Sequence, residues 1–396
     1  MNIFIIPSWY PSESNPLNGI FVKEQTLLMA QHYPDINFGI SRWGQNDESF
    51  LLHSQQVMRN IRKILNKQTA FDHLLLENVS EFFSPAYSWH QSITKGNIKG
   101  KIKACLNNLR HFEQKFGKAD IIHAHVSYPA GYIAQQLSKI TGIPYVITEH
   151  MAPFPQKYHL TKTGTLKPEI LEAINKAHKV IAVSADLKKM MRQYCVYNRP
   201  LVIPNFIQIA PPIKKAPSKK IFRFIVLSGM IERKAIDQLL NAIDIATKSN
   251  KKIHFTLVGD GPLLNKLEQK GTDLNLDKYL TWTGFKPRSE ITNLLLESNA
   301  HILVSHYDSF GVAYIEAMAM GLPSIAAAIG GPLDIIDENT GVLVKEVKPE
   351  LIAEKILWMV DNYQQFEAKT IRKSFEERFS VEAVAPKIRS VYESLL

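Results

Sequence analysis

The chain has 396 residues, of which 45% are hydrophobic and 21% are charged, and its formal net charge is +10. This length favours two domains over a single core, and the composition is typical of a soluble globular protein. The two cysteines lie far apart, no apolar run reaches a membrane-spanning length, and Pro7 interrupts the first apolar run. These features argue against a disulfide framework, a transmembrane helix and a signal peptide, and they predict a cytoplasmic protein.

The positive charge is distributed unevenly. Residues 51–120 contain 11 Lys and Arg against 5 Asp and Glu. Such a basic face is either simply solvated or attracted to an anionic partner, for which a phosphorylated substrate and an acidic membrane surface are the candidates. Nucleic acid is not expected as a partner, because the basic residues belong to no recognition module.

The first half of the chain predicts a doubly wound α/β domain. Strands are expected at 2–6, 37–42, 121–125, 145–148, 179–183 and 201–203, and helices at 21–33, 56–67, 98–116, 130–142, 167–177 and 184–194. The aromatic section 78–89 is expected either in the core or along a ligand cleft. Ligands of such sheets bind beyond the carboxyl ends of the strands, where Ser8, His123, His125 and His150 fall.

The second half predicts another domain of the same kind. Residues 208–220 contain three prolines and four lysines and read as a linker. Strands are expected at 222–228, 253–258, 280–282, 300–304, 324–327 and 342–344, with helices between and after them. The prediction is therefore two Rossmann-like domains facing a cleft, at 1–207 and 221–379, with a C-terminal helix at 380–396 packing back onto the first.

Residues 305–323 stand out in this second domain. They follow an apolar strand and contain a predicted helix at 311–320, closed by Gly321 and Pro323. Asp308 is expected at the mouth of the helix, either as an ordinary N-cap or beside free N–H groups that attract an anion. Glu316 lies among apolar residues inside the helix. It is either paired within the fold or held for a polar ligand, since an unpaired buried carboxylate is costly.

The run D-S-F-G-V-A-Y-I-E-A-M-A-M-G-L-P resembles the E-x7-E signature of glycosyltransferase family 4. Supporting motifs follow in the family's order: N-G-I-F-V-K-E-Q (18–25), T-E-H (148–150), I-P-N (203–205), V-G-D-G-P (258–262) and W-T-G-F (282–285). The resemblance covers nearly the whole chain. It implies the two-domain GT-B fold and a retaining transferase that uses a UDP- or GDP-sugar without a metal.

The resemblance also implies roles for particular residues. Glu316 matches the residue that accepts hydrogen bonds from the ribose, and Asp308 replaces the family's first Glu at the donor sugar. Lys234 matches a lysine on the diphosphate, whereas Met230 stands where the family has an arginine, so Arg233 either replaces that arginine or faces solvent. The remaining residues expected at the donor are Gly19, His150, Phe285, Ser309, Phe310, Gly311 and Val312.

Two of these assignments keep an alternative. His150 either contacts the donor sugar or is a buried histidine satisfied by the backbone, and Gly330 and Gly331 either approach the ligand or form an ordinary turn. No metal site is expected, because His123 and His125 share a strand face without acidic or Cys neighbours.

The function predicted from these motifs is sugar transfer to a glycan or lipid-linked acceptor, in cell-surface polysaccharide synthesis on the cytoplasmic face of a membrane. Alternatives on the same fold are a sugar-nucleotide epimerase and a phosphorylase. A non-catalytic nucleotide-sugar binding protein is an alternative of another class.

Overall fold

The structure is a computed structural model that describes residues 1–16, 18–45, 47–65, 69–90, 93–197, 199–208, 221–249 and 252–396. It contains two compact units. The first unit comprises Met1–Val183, Leu187–Pro204 and Val384–Leu396, and the second comprises Ser184–Asp186 and Asn205–Ala383. Most of the predicted linker, residues 209–220, lies outside the described residues.

The first unit is built on an eight-stranded sheet in the order β3-β4-β2-β1-β5-β6-β7-β8. Its strands are β1 (Asn2–Pro7), β2 (Asn37–Arg42), β3 (Phe71–Leu76), β4 (Val79–Phe83), β5 (Ile121–His125), β6 (Tyr145–Glu149), β7 (Lys179–Ala182) and β8 (Leu201–Val202). Every pairing is parallel except that of β3 with β4. The central strands are apolar and buried on both faces, as a parallel sheet covered by helices requires.

The helices up to residue 192 are α1 (Ile20–His32), α2 (Val57–Leu65), α3 (Thr94–Phe116), α4 (Tyr132–Thr141), α5 (Pro168–Lys176) and α6 (Ala185–Arg192). The C-terminal residues Val384–Leu396 group with the first unit, and they include most of α14 (Val381–Glu393). There Tyr392 Oη lies 2.7 Å from His123 Nδ1, and Arg389 pairs with Asp35 at 3.1 Å. Among the described residues, no helix combines the length and the apolar character that crossing a bilayer requires.

The second unit carries a fully parallel six-stranded sheet in the order β11-β10-β9-β12-β13-β14. Its strands are β9 (Phe222–Leu227), β10 (Ile253–Val258), β11 (Leu280–Gly284), β12 (Ala300–Leu303), β13 (Ser324–Ala327) and β14 (Gly341–Val344). Its helices are α7 (Ile236–Thr247), α8 (Leu264–Asp273), α9 (Arg288–Leu296), α10 (Val312–Ala319), α11 (Pro332–Ile335), α12 (Pro349–Asn362) and α13 (Ala368–Phe379). Since β9 and β12 are neighbours, the loops that follow them lie at the same edge of the sheet.

The predicted fold class, two α/β domains with Rossmann-like parallel sheets, is confirmed. The hairpin of β3 and β4 was not predicted from the sequence, because Ser80 and Glu81 break the apolar pattern of β4. Glu81 is buried, yet it accepts a hydrogen bond from Tyr10 Oη at 2.6 Å and pairs with Arg42 at 2.7 Å. A charged residue paired in this way can occupy a buried strand.

Candidate active site

The loop between β12 and α10 forms the centre of the candidate site in the second unit. Gly311 caps the helix with a φ of 98°, a conformation that suits glycine, and no side chain caps the helix there. Asp308 lies three residues earlier, so its interpretation as the helix N-cap is wrong. The first N–H groups of α10 therefore lie beside a glycine and not beside a capping side chain. Such N–H groups are a favourable place for an anion.

Asp308 is buried and binds two cations. Its Oδ1 lies 2.7 Å from Arg233 Nη1 and 2.7 Å from Lys234 Nζ, and its Oδ2 lies 2.9 Å from Lys234 Nζ. Burial on its own raises the pKa of Asp308, but the charges of Lys234 and Arg233 outweigh it and hold the pKa below its usual value. The carboxylate is ionised at neutral pH, and the three side chains together carry one net positive charge.

A short 3-10 turn, Glu232–Lys234, presents the two cations. It follows β9, and His306 N donates to Arg233 O at 2.9 Å, while Arg233 Nη1 donates to Tyr307 O at 2.6 Å. The turn after β9 and the loop after β12 are thus joined by main-chain and side-chain hydrogen bonds. Arg233 does not simply face solvent, because its guanidinium is anchored on this loop.

Met230, at the position where the resemblance places an arginine, is completely buried. Its N–H donates to Asp260 O at 2.9 Å, and its carbonyl accepts from Leu263 N at 3.1 Å, so the V-G-D-G-P turn packs directly against it. A side chain in this position belongs to the core and cannot reach a ligand. Arg233 and Lys234 are the cations that this segment offers.

Glu316 lies on α10 and pairs with Arg288, which was not among the predicted site residues. Its Oε1 is 3.1 Å from Arg288 Nη2, and its side chain is 13% exposed. Arg288 is the first residue of α9, where the helix dipole disfavours a cation. An arginine at the start of a helix is unfavourable, and the sequence K-P-R after β11 places one there. This was the feature of the sequence that could have indicated a carboxylate partner.

Gly330 and Gly331 pack against the loop that carries Asp308. Gly331 N donates to Asp308 O at 2.7 Å. A Cβ at Gly331 would lie 2.3 Å from Phe310 Cα, and one at Gly330 would lie 2.2 Å from Asp308 O. Close approach to the protein's own backbone accounts for both glycines. They support the shape of the loop whether or not they touch a ligand.

The other residues predicted at the donor have different surroundings. Ser309 and Val312 are partly exposed, and Phe310 is buried with its ring 5.8 Å from that of Phe379. Phe285, just after β11, is 45% exposed. Gly19 belongs to the first unit, precedes α1 and packs so closely that a Cβ would lie 2.2 Å from Trp9 O.

His150, also in the first unit, belongs to a stack of three buried histidines. Its Nε2 lies 3.0 Å from His125 Nδ1, and its ring centroid is 5.2 Å from that of His125. His123 stacks on His125 at 4.5 Å and has both ring nitrogens hydrogen-bonded, to Tyr392 Oη and to Thr148 Oγ1 at 2.7 Å each. Burial lowers the pKa of all three, to about 3 for His125, so the rings are neutral at pH 7.

Glu149 fixes the chain around His150. Its buried carboxylate accepts hydrogen bonds from the N–H groups of His150 at 2.9 Å, Met151 at 2.8 Å and Ser127 at 2.9 Å. Burial raises the pKa of Glu149, although these hydrogen bonds favour the ionised form. The carboxylate of Glu149, the middle residue of the T-E-H motif, therefore holds together the loops that follow β5 and β6.

No group of three or more His, Cys, Asp or Glu side chains suited to a metal occurs within the described part of the chain. The polar groups of the second unit instead form two charge clusters, one of Arg233, Lys234 and Asp308 and one of Arg288 and Glu316. The first of these leaves positive charge uncompensated near the start of α10.

Two models of known protein families match the sequence of this chain. The model described as "Glycosyl transferases group 1" matches residues 210–377, and the model described as "Glycosyltransferase Family 4" matches residues 90–210. Together the two models cover residues 90–377, and they support a glycosyltransferase of the family 4 type. The family resemblance predicted from the ordered motifs is thus confirmed.

Individual proteins agree with this family 4 assignment. The putative teichuronic acid biosynthesis glycosyltransferase TuaC of Bacillus subtilis is 26% identical over 372 residues, which cover 90% of this chain and 88% of TuaC. Sucrose-phosphate synthase from Thermosynechococcus elongatus superposes with a TM-score of 0.73 at 17% identity, covering 100% of this chain and 99% of the synthase. HepE from Anabaena, solved in complex with UDP, has a TM-score of 0.70 at 19% identity and full coverage of both chains. These structural likenesses show that the chain has the GT-B fold.

Proposed function

We propose that this glycosyltransferase transfers a sugar, with retention of anomeric configuration, from a nucleoside diphosphate sugar to a glycan or lipid-linked acceptor. The process would be cell-surface polysaccharide synthesis at the cytoplasmic face of a membrane. The observation that carries the proposal is the placement of Arg233 and Lys234 on Asp308, in the loop that leads into the uncapped start of α10. The UDP bound in the similar structure of HepE and the biosynthetic role in the name of TuaC support it.

The charges of this cluster suit a diphosphate. Asp308 neutralises one of its two cations, so a net positive charge and the N–H groups of α10 remain for the ligand. Negative charge increases on the departing nucleoside diphosphate as the glycosidic bond breaks, and fixed cations stabilise that charge. In this proposal Asp308 positions Arg233 and Lys234, since both of its oxygens are already engaged by them.

Glu316 suits a ribose. A carboxylate accepts hydrogen bonds from two neighbouring hydroxyl groups, and the pairing of Glu316 with Arg288 holds the carboxylate in place on α10. The exposed ring of Phe285 follows β11, the strand whose end precedes Arg288. We assign these residues to the nucleoside half of the donor.

Retention in this proposal needs no protein nucleophile. The bond between the anomeric carbon and the leaving phosphate oxygen breaks while the acceptor oxygen bonds to that carbon on the same face, and the phosphate oxygen accepts the acceptor's proton. The protein contributes positioning and charge stabilisation. His150 is neutral at pH 7 and can hydrogen-bond a sugar hydroxyl without adding charge. Arg233 and Lys234 supply the positive charge that a metal would otherwise bring, and transfer is expected to continue in the presence of a chelator.

A surface of the first unit supports contact with an anionic membrane. Helix α2 exposes five large apolar side chains, those of Val57, Met58, Ile61, Ile64 and Leu65. The same helix carries Arg59, Arg62 and Lys63 and no acidic residue. An exposed helix with an apolar stripe and flanking cations is suited to lie in the headgroup region of acidic lipids.

The experiment that tests the proposal is a thermal-shift screen of the full chain against UDP- and GDP-sugars, followed by a transfer assay with the donor that stabilises it. Lys234→Ala is expected to lose most of the shift and of the transfer, whereas Lys248→Ala, a lysine exposed on the surface of the same unit, keeps both. Conversion of the donor sugar without acceptor would instead indicate an epimerase. Tight donor binding without transfer to any acceptor would indicate a binding protein.

A further inference from the structure

The first unit contains a cavity of about 500 Å³ that is built from its own residues. It lies beside the ends of β1 and β2 and is bordered by the N-terminal part of α3 and by the loops around Tyr128 and Tyr158. A volume of this size accommodates one or two sugar rings. None of the residues assigned above to the donor lines it.

The lining has the chemistry of a carbohydrate site. Trp9, Tyr128 and Tyr158 offer aromatic surface for the apolar faces of sugar rings. Asp47 and Glu48 offer carboxylate oxygens that accept hydrogen bonds from sugar hydroxyls. Aromatic faces and hydroxyl acceptors in one concave site favour a saccharide over a purely apolar ligand.

Lys101 gives this cavity an additional property. It projects from α3 and is half-buried, and within the described part of the chain no hydrogen bond or ion pair engages its ammonium group. Lys95, the other lysine of the lining, already pairs with Glu169 at 3.3 Å. An ammonium that is partly removed from water, and that has no carboxylate partner among the described residues, offers a binding point to an anionic ligand.

The surroundings of Lys101 define its charge. Burial lowers the pKa of Lys101 to about 8, so most of the ammonium is retained at pH 7. Cys105 lies one turn further along α3, and burial raises the pKa of its thiol to about 12. Burial also raises the pKa of Tyr128 to about 12 and that of Tyr158 above its usual value. Asp47, Glu48 and Lys95 complete the charged groups of the lining.

We propose that this cavity binds an acidic sugar unit of the acceptor, with its carboxylate or phosphate group on Lys101 Nζ. This proposal deepens the proposed function and rests on it, because only a transferase has an acceptor. Binding of a ligand in the cavity does not depend on the donor. Hexuronates and sugar or polyol phosphates share the required anionic group. A neutral sugar would leave the ammonium unpaired.

The test measures the binding of small probes to the full chain by ligand-observed NMR. Glucuronate and glycerol phosphate represent the two sources of the anion, glucose is the neutral comparison, and inorganic phosphate tests the anion alone. We expect one of the two acidic probes to bind at least about tenfold more tightly than glucose or inorganic phosphate. Which of them binds identifies the acidic group.

Variants of α3 make the test specific to Lys101. Lys101→Met is expected to lose the preference for the acidic probe, and Lys103→Met, an exposed lysine on the same helix, to keep it. In the native protein the affinity should fall as the pH rises through about 8, because the ammonium loses its proton. Lys101→Arg should bind the probe without that fall, which separates a charge contact from a merely structural role.

Two results would overturn the proposal. One is equal affinity for glucose and both acidic probes, or no binding of any of them. The other is unchanged preference in Lys101→Met. UDP binding measured on the same samples reports on the second unit, so failure of the donor assignment would be seen separately from failure of this cavity.

Discussion

Lys234 Nζ lies 2.7 Å from Oδ1 and 2.9 Å from Oδ2 of Asp308, although 74 residues separate them in the sequence. Arg233 contacts the same carboxylate, and the loop that carries Asp308 continues into α10. One buried anion therefore fixes two cations beside a helix start. This relationship makes Asp308 a positioning residue in the proposed donor site.

Asp308→Asn is expected to impair both stability and transfer. The amide cannot balance Arg233 and Lys234, and removing one partner of a buried ion pair costs about 3 kcal/mol of unfolding free energy. Transfer should fall about 100-fold, because the cations lose their fixed position. Asp244→Asn is the matched control: Asp244 pairs with the exposed Lys248 at 2.8 Å, and its loss should cost less than about 1 kcal/mol. Urea unfolding and steady-state kinetics measure the two effects, and equal stability losses would refute the positioning role.

Arg288→Met is expected to weaken donor binding through Glu316. Without its partner at 3.1 Å, the carboxylate loses its orientation along α10, and nucleotide affinity should fall about tenfold. Glu316→Gln should weaken it at least as much. Isothermal titration with the donor identified by the screen measures both. If Arg288→Met bound the donor as the native protein does, the ion pair would be purely structural.

Acid should destabilise the histidine stack of the first unit. His123, His125 and His150 have pKa values lowered below 6.5 in the folded protein, so the unfolded chain binds more protons once the pH drops below that value. Stability is therefore present above pH 6.5 and falls by about 1.4 kcal/mol per pH unit for each histidine as the pH is lowered. Thermal unfolding followed from about pH 7 to about pH 5 measures the slope.

The variant His125→Asn isolates one histidine of that stack. We expect its unfolding midpoint to depend less steeply on pH than that of the native protein, with a lower absolute stability because the stacking with His123 and His150 is lost. An unchanged slope would show that His125 is protonated equally in the folded and unfolded chain.

Ala235→Gly should not destabilise the protein. Ala235 has a φ of 49° between the 3-10 turn and α7, where an L-residue is strained by about 1 kcal/mol and glycine is not. Relief of this strain offsets the entropy that glycine loses on folding, about 0.5–1 kcal/mol. Ala242→Gly, inside α7, lacks that compensation and should lose about 1 kcal/mol or more. Thermal unfolding should therefore show a lower unfolding midpoint for Ala242→Gly than for Ala235→Gly.

The exposed face of α2 predicts salt-sensitive binding to acidic vesicles. Ile61→Ser combined with Leu65→Ser removes part of the apolar stripe and should weaken co-sedimentation with vesicles that contain anionic lipid. Ile140→Ser, at an exposed apolar residue on α4, should leave it unchanged. Binding to neutral and anionic vesicles alike, or insensitivity to salt, would contradict the proposed membrane contact.

The spacing of apolar residues in the sequence was sufficient to predict most of the fold. Alternating apolar strands and amphipathic helices predicted both parallel sheets, and the helix expected at 311–320 corresponds to α10 at Val312–Ala319. The β3–β4 hairpin was missed because a buried Glu81 hides the pattern of β4. Its burial depends on Tyr10 and Arg42, which are remote in the chain.

The sequence by itself determined the family, the α/β architecture and the two conspicuous carboxylates, because local patterns and ordered motifs encode them. Only the tertiary structure decided their partners. The adjacency of β9 and β12 brings Arg233 and Lys234 onto Asp308, and the packing of α9 near α10 gives Glu316 its Arg288. Burial likewise removed Met230 from the site, and the fold placed Lys101 in a cavity where no described residue pairs with it. Ion pairs and burial of this kind depend on strand order and on contacts between residues far apart in the chain, which a local sequence pattern does not specify.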